Sequence, residues 1–178
     1  GMADRFDYDI AITNGEGHKS VQSDDNVRLA AGGALKLTER MSIRVYVDSL
    51  SLENETQTNI IGMVGYADER LSFGLEWNQQ TNSGGMDGQD RDGLSVYGSG
   101  DINSRWQVFG RYDEVGSDRF PGMTQAWNQP NDGTLMIAGV QHTVLDGLIV
   151  ALDYRHWDSD DASLETESYL FLDVAVGF

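Results

Sequence analysis

Cysteine is absent from this chain of 178 residues, so disulfides and thiolate metal sites are excluded. Proline is nearly absent, at 2 residues against 21 glycines, which fits many strands joined by turns rather than a disordered or collagen-like chain. No apolar run approaches the roughly 18–20 residues that a spanning helix needs. With 39% hydrophobic residues and a mean hydropathy of -0.41, a helical membrane bundle is excluded too. That exclusion does not touch a β-barrel, whose strands alternate and keep average hydropathy low. Basic residues are scarce: 12 Lys and Arg stand against 29 Asp and Glu, a net charge of -17. A nucleic-acid partner is not expected, because phosphate binding requires a basic surface. The histidines His18, His142 and His156 show no metal-ligand spacing, and there is no nucleophile elbow or phosphate loop. No enzymatic activity and no cofactor are expected.

What the chain has instead is period-two alternation. Its length suits one domain, residues 1–178, with a substantial interior. Gly1-Met2 reads as an expression remnant with no signal peptide after it, compatible with an exported protein that has lost its signal. The alternation predicts ten strands, near Phe6–Thr13, Val27–Leu37, Ser42–Asp48, Asn59–Ala67, Leu71–Asn78, Leu94–Gly100, Arg105–Asp113, Thr134–His142, Leu148–Arg155 and Tyr169–Phe178. Connections between them alternate in length. Asn14–Asn26, Ser49–Thr58, Gln79–Gly93, Glu114–Gly133 and His156–Ser168 are long, whereas Thr38–Met41, Asp68–Arg70, Asp101–Ser104 and Thr143–Gly147 are short. In an up-and-down meander this places long loops at one end and tight turns at the other. Transmembrane barrels show that asymmetry, with short periplasmic turns and long extracellular loops.

The strand faces agree with this reading. One face is apolar, as in Phe6, Tyr8, Ile10 and Ile12, or Leu148, Val150, Leu152 and Tyr154, and no charge interrupts it. Aromatic residues fall near its ends: Trp77, Tyr112 and Tyr154 toward the long loops, Phe6, Tyr66, Trp106 and Phe178 toward the short turns. Interfacial girdles occupy those positions. The opposite face carries Asp7, Asp9, Arg28, Lys36, Arg44, Asp48, Glu76, Arg111, Asp113, Asp153, Arg155 and Asp173, so ion pairs are expected there. Two segments depart from the pattern. Ile61 and Met63 make the fourth strand apolar on both faces, and Leu135–Val140 shows no clear face.

The last strand, Tyr169–Phe178, alternates Leu170, Leu172, Val174 and Val176 with Asp173, Ala175 and Gly177, and ends on Phe178. It resembles the targeting strand of bacterial outer-membrane barrels. The opening Tyr8-Asp-Ile-Ala-Ile-Thr-Asn-Gly-Glu-Gly17 and the turn Asp101-Ile-Asn-Ser-Arg-Trp106 extend the likeness. Together they resemble a bacterial porin, most of all the phosphate- or polyphosphate-selective group. Porins of that group have more strands, so the chain is similar to the carboxyl-terminal portion of one, or to a smaller relative. Phosphate selectivity is not carried over, because a net charge of -17 suits an anion pore badly.

The resemblance implies an all-β, antiparallel up-and-down transmembrane barrel of about ten strands in the outer membrane, passing small polar solutes or ions by passive diffusion. Arg28, Arg44, Asp48, Glu76, Arg111, Asp113, Asp153 and Arg155 would line its lumen and set selectivity, and Glu114–Gly133 would narrow the entrance. Phe178, Val176, Val174, Leu172 and Leu170 would form the membrane-insertion signal. Implied partners are outer-membrane lipid and lipopolysaccharide, the barrel assembly machinery and the solutes themselves. A homo-oligomer is compatible, although no interface signature is visible. The bland alternative for the lumen charges is that they pair and fill a narrow interior.

Other readings stay open at this stage. Asp87, Asp90 and Asp92 form a weak candidate cation loop, and Asp158, Asp160 and Asp161 with Glu165 and Glu167 form a second acidic cluster; both also suit solvated loops. Asp153, His156 and Asp158 lie together at the rim, as acid and histidine pairs do in ten-stranded outer-membrane proteases. Trp127, beside Phe120 and Met123, is expected to pack a folded-in loop over the mouth. Two whole-molecule alternatives remain: a plugged structural or adhesive barrel acting through its loops, and a soluble β-barrel with the faces reversed around an apolar ligand.

Overall fold

The computed structural model describes residues 5–15 and 25–177. Most of the first long connection, with His18, and the terminal Phe178 therefore lie outside the described residues. Ten strands form one antiparallel sheet whose spatial order is the order in sequence. They are β1 Phe6–Asn14, β2 Val27–Lys36, β3 Met41–Ser51, β4 Thr56–Ala67, β5 Leu71–Thr81, β6 Arg91–Asp101, β7 Trp106–Ser117, β8 Gly133–Leu145, β9 Leu148–Ser159 and β10 Glu167–Val176. Two short 3-10 turns, Ser83–Gly85 and Gln129–Asn131, interrupt the loops.

Every predicted strand is present, and most run two to four residues further toward the long-loop end. Hydropathy alternation stops where a hairpin leaves an apolar environment, whereas ladder hydrogen bonds continue as long as the two backbones stay paired. The same extension removes one predicted loop. Ser49–Thr58 is largely strand, and β3 and β4 are joined by residues 52–55 alone. The other four connections at this end are long, and those at the opposite end are tight.

Three of the tight turns share one device. A side-chain oxygen at the first turn position accepts the amides two and three residues on: Thr38 Oγ1 from Arg40 and Met41 (3.2 and 3.0 Å), Asp68 Oδ1 from Arg70 and Leu71 (both 2.8 Å), Asn103 Oδ1 from Arg105 and Trp106 (2.9 and 3.1 Å). The fourth turn uses Gly147 at φ +81° and a bulge between Thr143 and Leu145. Tyr66 also donates to Asp68 Oδ2 at 2.7 Å, and this bond together with the two amides holds the Asp68 carboxyl at about 2, below its ordinary 3.8. A depressed carboxyl stabilises the fold above its ordinary value and ceases to do so as pH falls through the folded value. The stability difference between the wild type and Asp68→Asn is therefore expected to shrink as pH falls from about 4 to about 2. Unfolding midpoints of both proteins across that range check this; a gap that stays constant argues against it.

Register aligns the apolar residues of all ten strands on one face. Phe6, Leu35, Ile43, Val64, Leu75, Val96 and Tyr112 follow one another across the first seven strands, and Met136, His156 and Ser168 complete the row. The eighth strand, ambiguous in sequence, is settled by its neighbours: Met136, Ala138, Val140 and His142 join the apolar face, and Leu135, Ile137, Gly139 and Gln141 the other. The apolar face is the exposed one. Leu50, at 6% exposure, is the sole buried apolar side chain among the described residues. The accessible surface of 12199 Å² exceeds the roughly 8,600 Å² expected of a compact soluble monomer of this mass. This arrangement is the reverse of what an internal apolar ligand site requires.

One expectation is corrected outright. β1 and β10 do not pair, so the sheet is open among the described residues rather than closed into a barrel. Every residue of β10, and all but the last of β1, is exposed. Alternation and turns are written between neighbours in sequence, but closure joins the two strands furthest apart in the chain, and no local pattern specifies it.

Candidate functional site

The covered face of the sheet carries the charge. Strand alternation turns Arg28, Arg44, Asp48, Glu76, Arg111, Asp113, Asp153 and Arg155 to this one side, as register confirms. The opposite charges meet mostly along one strand or between near neighbours, not across an opening. Arg111 Nε contacts Asp113 at 2.7 Å and Arg155 Nε contacts Asp153 at 2.6 Å, each pair two residues apart on its own strand. Arg155 also lies 3.6 Å from Asp173 and stacks over Phe171 at 4.2 Å from the ring centre. Glu76 makes no ion pair among the described residues.

On β1–β3, Arg44 reaches across β2 to Asp9. Gly32 lies beneath that bridge, and a Cβ there would stand 2.6 Å from Arg44 Nη2 and 2.9 Å from the Asp9 carboxylate. A larger residue here would displace the two flexible side-chain ends that form the bridge. Glycine also makes room for two aromatic rings on this face: Tyr97 lies flat over Gly74, and Phe109 over Gly139.

One buried charge anchors a network across four strands. Arg28 donates to Asp48, which is 5% exposed; Asn59 Nδ2 donates to the same carboxylate at 2.8 Å, and Gln80 Nε2 to Asn59 Oδ1 at 2.6 Å. Side chains of β2, β3, β4 and β5 are thus linked in series. Asp48→Ala leaves the Arg28 guanidinium without its carboxylate and is expected to lower stability by about 2–3 kcal/mol. The double variant Arg28→Met/Asp48→Leu should regain at least half of that loss in denaturant titrations. No recovery would mean that the pair acts through something other than charge.

Asn59, Gln80 and Asp132 are functional candidates that sequence reasoning overlooked. Asp132 is fully buried; its carboxylate accepts from Ser117 N (3.1 Å) and the Ser117 hydroxyl, while Oδ1 has no partner. It ties the end of β7 to the start of β8. The Asp132-Gly133 turn dipeptide was the available signal. Trp127 Nε1 donates to the Asp90 carbonyl at 2.8 Å, and Asp118 N to the same oxygen at 3.0 Å, so loop 118–132 is pinned to loop 82–90. Met123 stays exposed, apart from the cluster expected around Trp127.

Among the described residues no three of His, Asp and Glu gather as a metal site, and Asp87, Asp90 and Asp92 do not converge. Asp90 Oδ1 instead accepts the Asn82 amide at 2.8 Å, within its own loop. The rim grouping of Asp153, His156 and Asp158 also dissolves. Alternation sends Asp153 to the covered face, toward Arg155, and His156 and Asp158 to the exposed one.

On the exposed face the girdle tyrosines turn their hydroxyls away from the middle of the sheet. Tyr66 donates to Asp68, Tyr112 to Glu114 at 3.2 Å, and Tyr154 lies 3.0 Å from Ser168 Oγ and 3.4 Å from His156 Nδ1. Each ring keeps its apolar body over the band and its polar tip toward the strand end. At the short-turn end His142 stacks on Trp106, ring centres 4.2 Å apart.

No protein-family model matches the chain, and no curated protein matches it in sequence. Among solved structures, one described as the NanC porin in a rhombohedral crystal form superposes with a TM-score of 0.58 at 15% identity, over 86% of this chain and 79% of that one. The ten-stranded antiparallel sheet therefore has a porin-like fold.

Proposed function

We propose that this chain is a porin-like β-barrel protein of the bacterial outer membrane, through whose lumen small polar solutes or ions diffuse passively. One observation carries the reading: ten strands share an exposed face whose middle band is free of charge, with Asp92, Glu114 and Asp158 only at its long-loop end, and a covered face that holds most of the strands' charged residues. Hydrocarbon accepts the first and water the second. Lipid and lipopolysaccharide then cover the exposed face, the girdle tyrosines sit at its two boundaries, and the assembly machinery recognises Tyr169–Phe178. In hydrocarbon an unpaired strand edge costs several kcal/mol for each orphaned group. The reading therefore requires the free edges of β1 and β10 to be paired in the membrane.

A second reading, a plugged barrel acting through its acidic loops, is favoured by the network from Arg28 to Gln80 that binds side chains of four strands together. Reconstitution in a planar bilayer separates the two. Stepwise conductance is expected of the porin; a chain folded in detergent that gives no steps is a plugged barrel. A folded, monodisperse protein in plain buffer would overturn the membrane assignment, because a continuous apolar band of this extent aggregates in water.

A further inference from the structure

The covered face has a gap in its hydrogen bonding. Asp48, Asn59, Gln80, Arg91 and Ser117 stand directly opposite one another across β3–β7. Bonding is continuous from Arg28 through Asp48 and Asn59 to Gln80 Nε2, and resumes at Ser117 with Asp132. Between them it breaks. Gln80 Oε1 is buried without a partner, and the guanidinium of Arg91, its neighbour across the ladder, makes no hydrogen bond or ion pair among the described residues. The carboxamide of Asn78 is likewise unused. It lies along Gly93, where a Cβ would stand 3.1 Å from both of its polar atoms.

These three groups line one cavity of about 340 Å³, together with Ile61 and Val115. The volume falls at the lower end of small-molecule pockets, roughly 300–1,000 Å³, which pair an apolar surface with a few directed polar groups. A buried acceptor left unpaired is unfavourable and invites a donor. Here an acceptor (Gln80 Oε1), a donor fork (Arg91) and a group that is both (Asn78) surround two aliphatic side chains.

We propose that this cavity is a binding subsite for a neutral, polyhydroxylated solute the size of a monosaccharide. Its hydroxyls would donate to Gln80 and accept from Arg91, while its C–H face lies on Ile61 and Val115. A solute's hydroxyls are donors and acceptors, so one ring can close the gap between Gln80 and Arg91, whereas an anion without an O–H or N–H group offers Gln80 Oε1 no donor. The role of this subsite on a diffusion path rests on the channel reading, but its chemistry does not.

Glucose is the first probe, with inorganic phosphate and glycine as comparators. In single channels, glucose is expected to interrupt the current, with the blocked fraction read against the open current of the same channel. The apparent affinity should fall about tenfold in Gln80→Leu and in Arg91→Met, the scale of one lost hydrogen bond to a charged or buried group. Arg91→Met removes a side chain with no hydrogen bond or ion pair among the described residues and is the variant of choice if Gln80→Leu does not fold. Gln141→Leu, on the same face far from the cavity, serves as the control. Equal block in all variants, or block by phosphate in preference to glucose, would overturn the assignment. If no channel opens, calorimetric titration of the detergent-solubilised chain with glucose decides the subsite independently. Binding lost in Arg91→Met supports it, and no binding refutes it.

Discussion

Gly133→Ala is expected to be the most destabilising single-methyl change in this protein. Gly133 opens β8 at φ +142°, a region L side chains rarely adopt, and pairs with Val115 on one side and Ser159 on the other. A Cβ there would overlap the Asp158 carbonyl oxygen and stand 2.9 Å from Ser159 Cα. Both obstacles are backbone, so no rotamer change relieves them. The residue before it is the buried Asp132 clasp, which would be pulled out of register with Ser117. Backbone strain and overlap together give a loss of about 3 kcal/mol or more. Two other glycines supply the scale. Gly122 has φ +86° but open space around its Cβ, so Gly122→Ala carries only the conformational term, about 1–2 kcal/mol. Gly116 has neither constraint, and Gly116→Ala should be nearly neutral. Denaturant unfolding of the three variants in one detergent checks the order. If Gly133→Ala matches Gly122→Ala, the close approach of β8 and β9 is not held in solution.

Leu152→Arg, midway along β9 on the exposed face, should divide the membrane reading from every soluble one. Leu152 pairs with Val140 and Leu172 and is 43% exposed. In water an exposed leucine exchanged for arginine changes stability by less than about 0.5 kcal/mol. At the midplane of a bilayer the same exchange costs about 2–4 kcal/mol. Ala151, one residue earlier, faces Gln141 and Asp173 on the other side, where an added guanidinium meets a carboxylate. Ala151→Arg should therefore be tolerated. Refolding yield into lipid vesicles is the readout, with Leu152→Arg much impaired and Ala151→Arg close to wild type. Equal refolding of the two would remove the basis for assigning hydrocarbon to the apolar face.

The contrast between these neighbours shows which features were legible in sequence. Leu152 and Ala151 differ in hydropathy, and alternation sends them to opposite faces whatever the rest of the chain does. The eight charged residues expected on one side are on one side for the same reason. The tight turns were equally readable, since Thr38, Asp68 and Asn103 each accept amides two and three residues away and Gly147 supplies a positive φ. Where the apolar rhythm fails, as in Leu135–Val140, the facing assignment came only from β7 and β9 pairing on either side.

Partners were a different matter. Arg44 meets Asp9 across an intervening strand, and nothing local to either residue announces it. Rim residues Asp153, His156 and Asp158, adjacent in sequence, are separated by the pleat. The gap between Gln80 and Arg91 depends on a register set by hairpins on both sides. So does the clasp at Asp132. By itself the sequence determined the number of strands, their faces and their turns, because period two and turn chemistry act within a few residues. Tertiary structure decided which charges pair, which polar atoms stay unpaired and whether the sheet's two ends meet. Those outcomes depend on residues brought together by ladders, and a ladder's register is a property of the whole sheet.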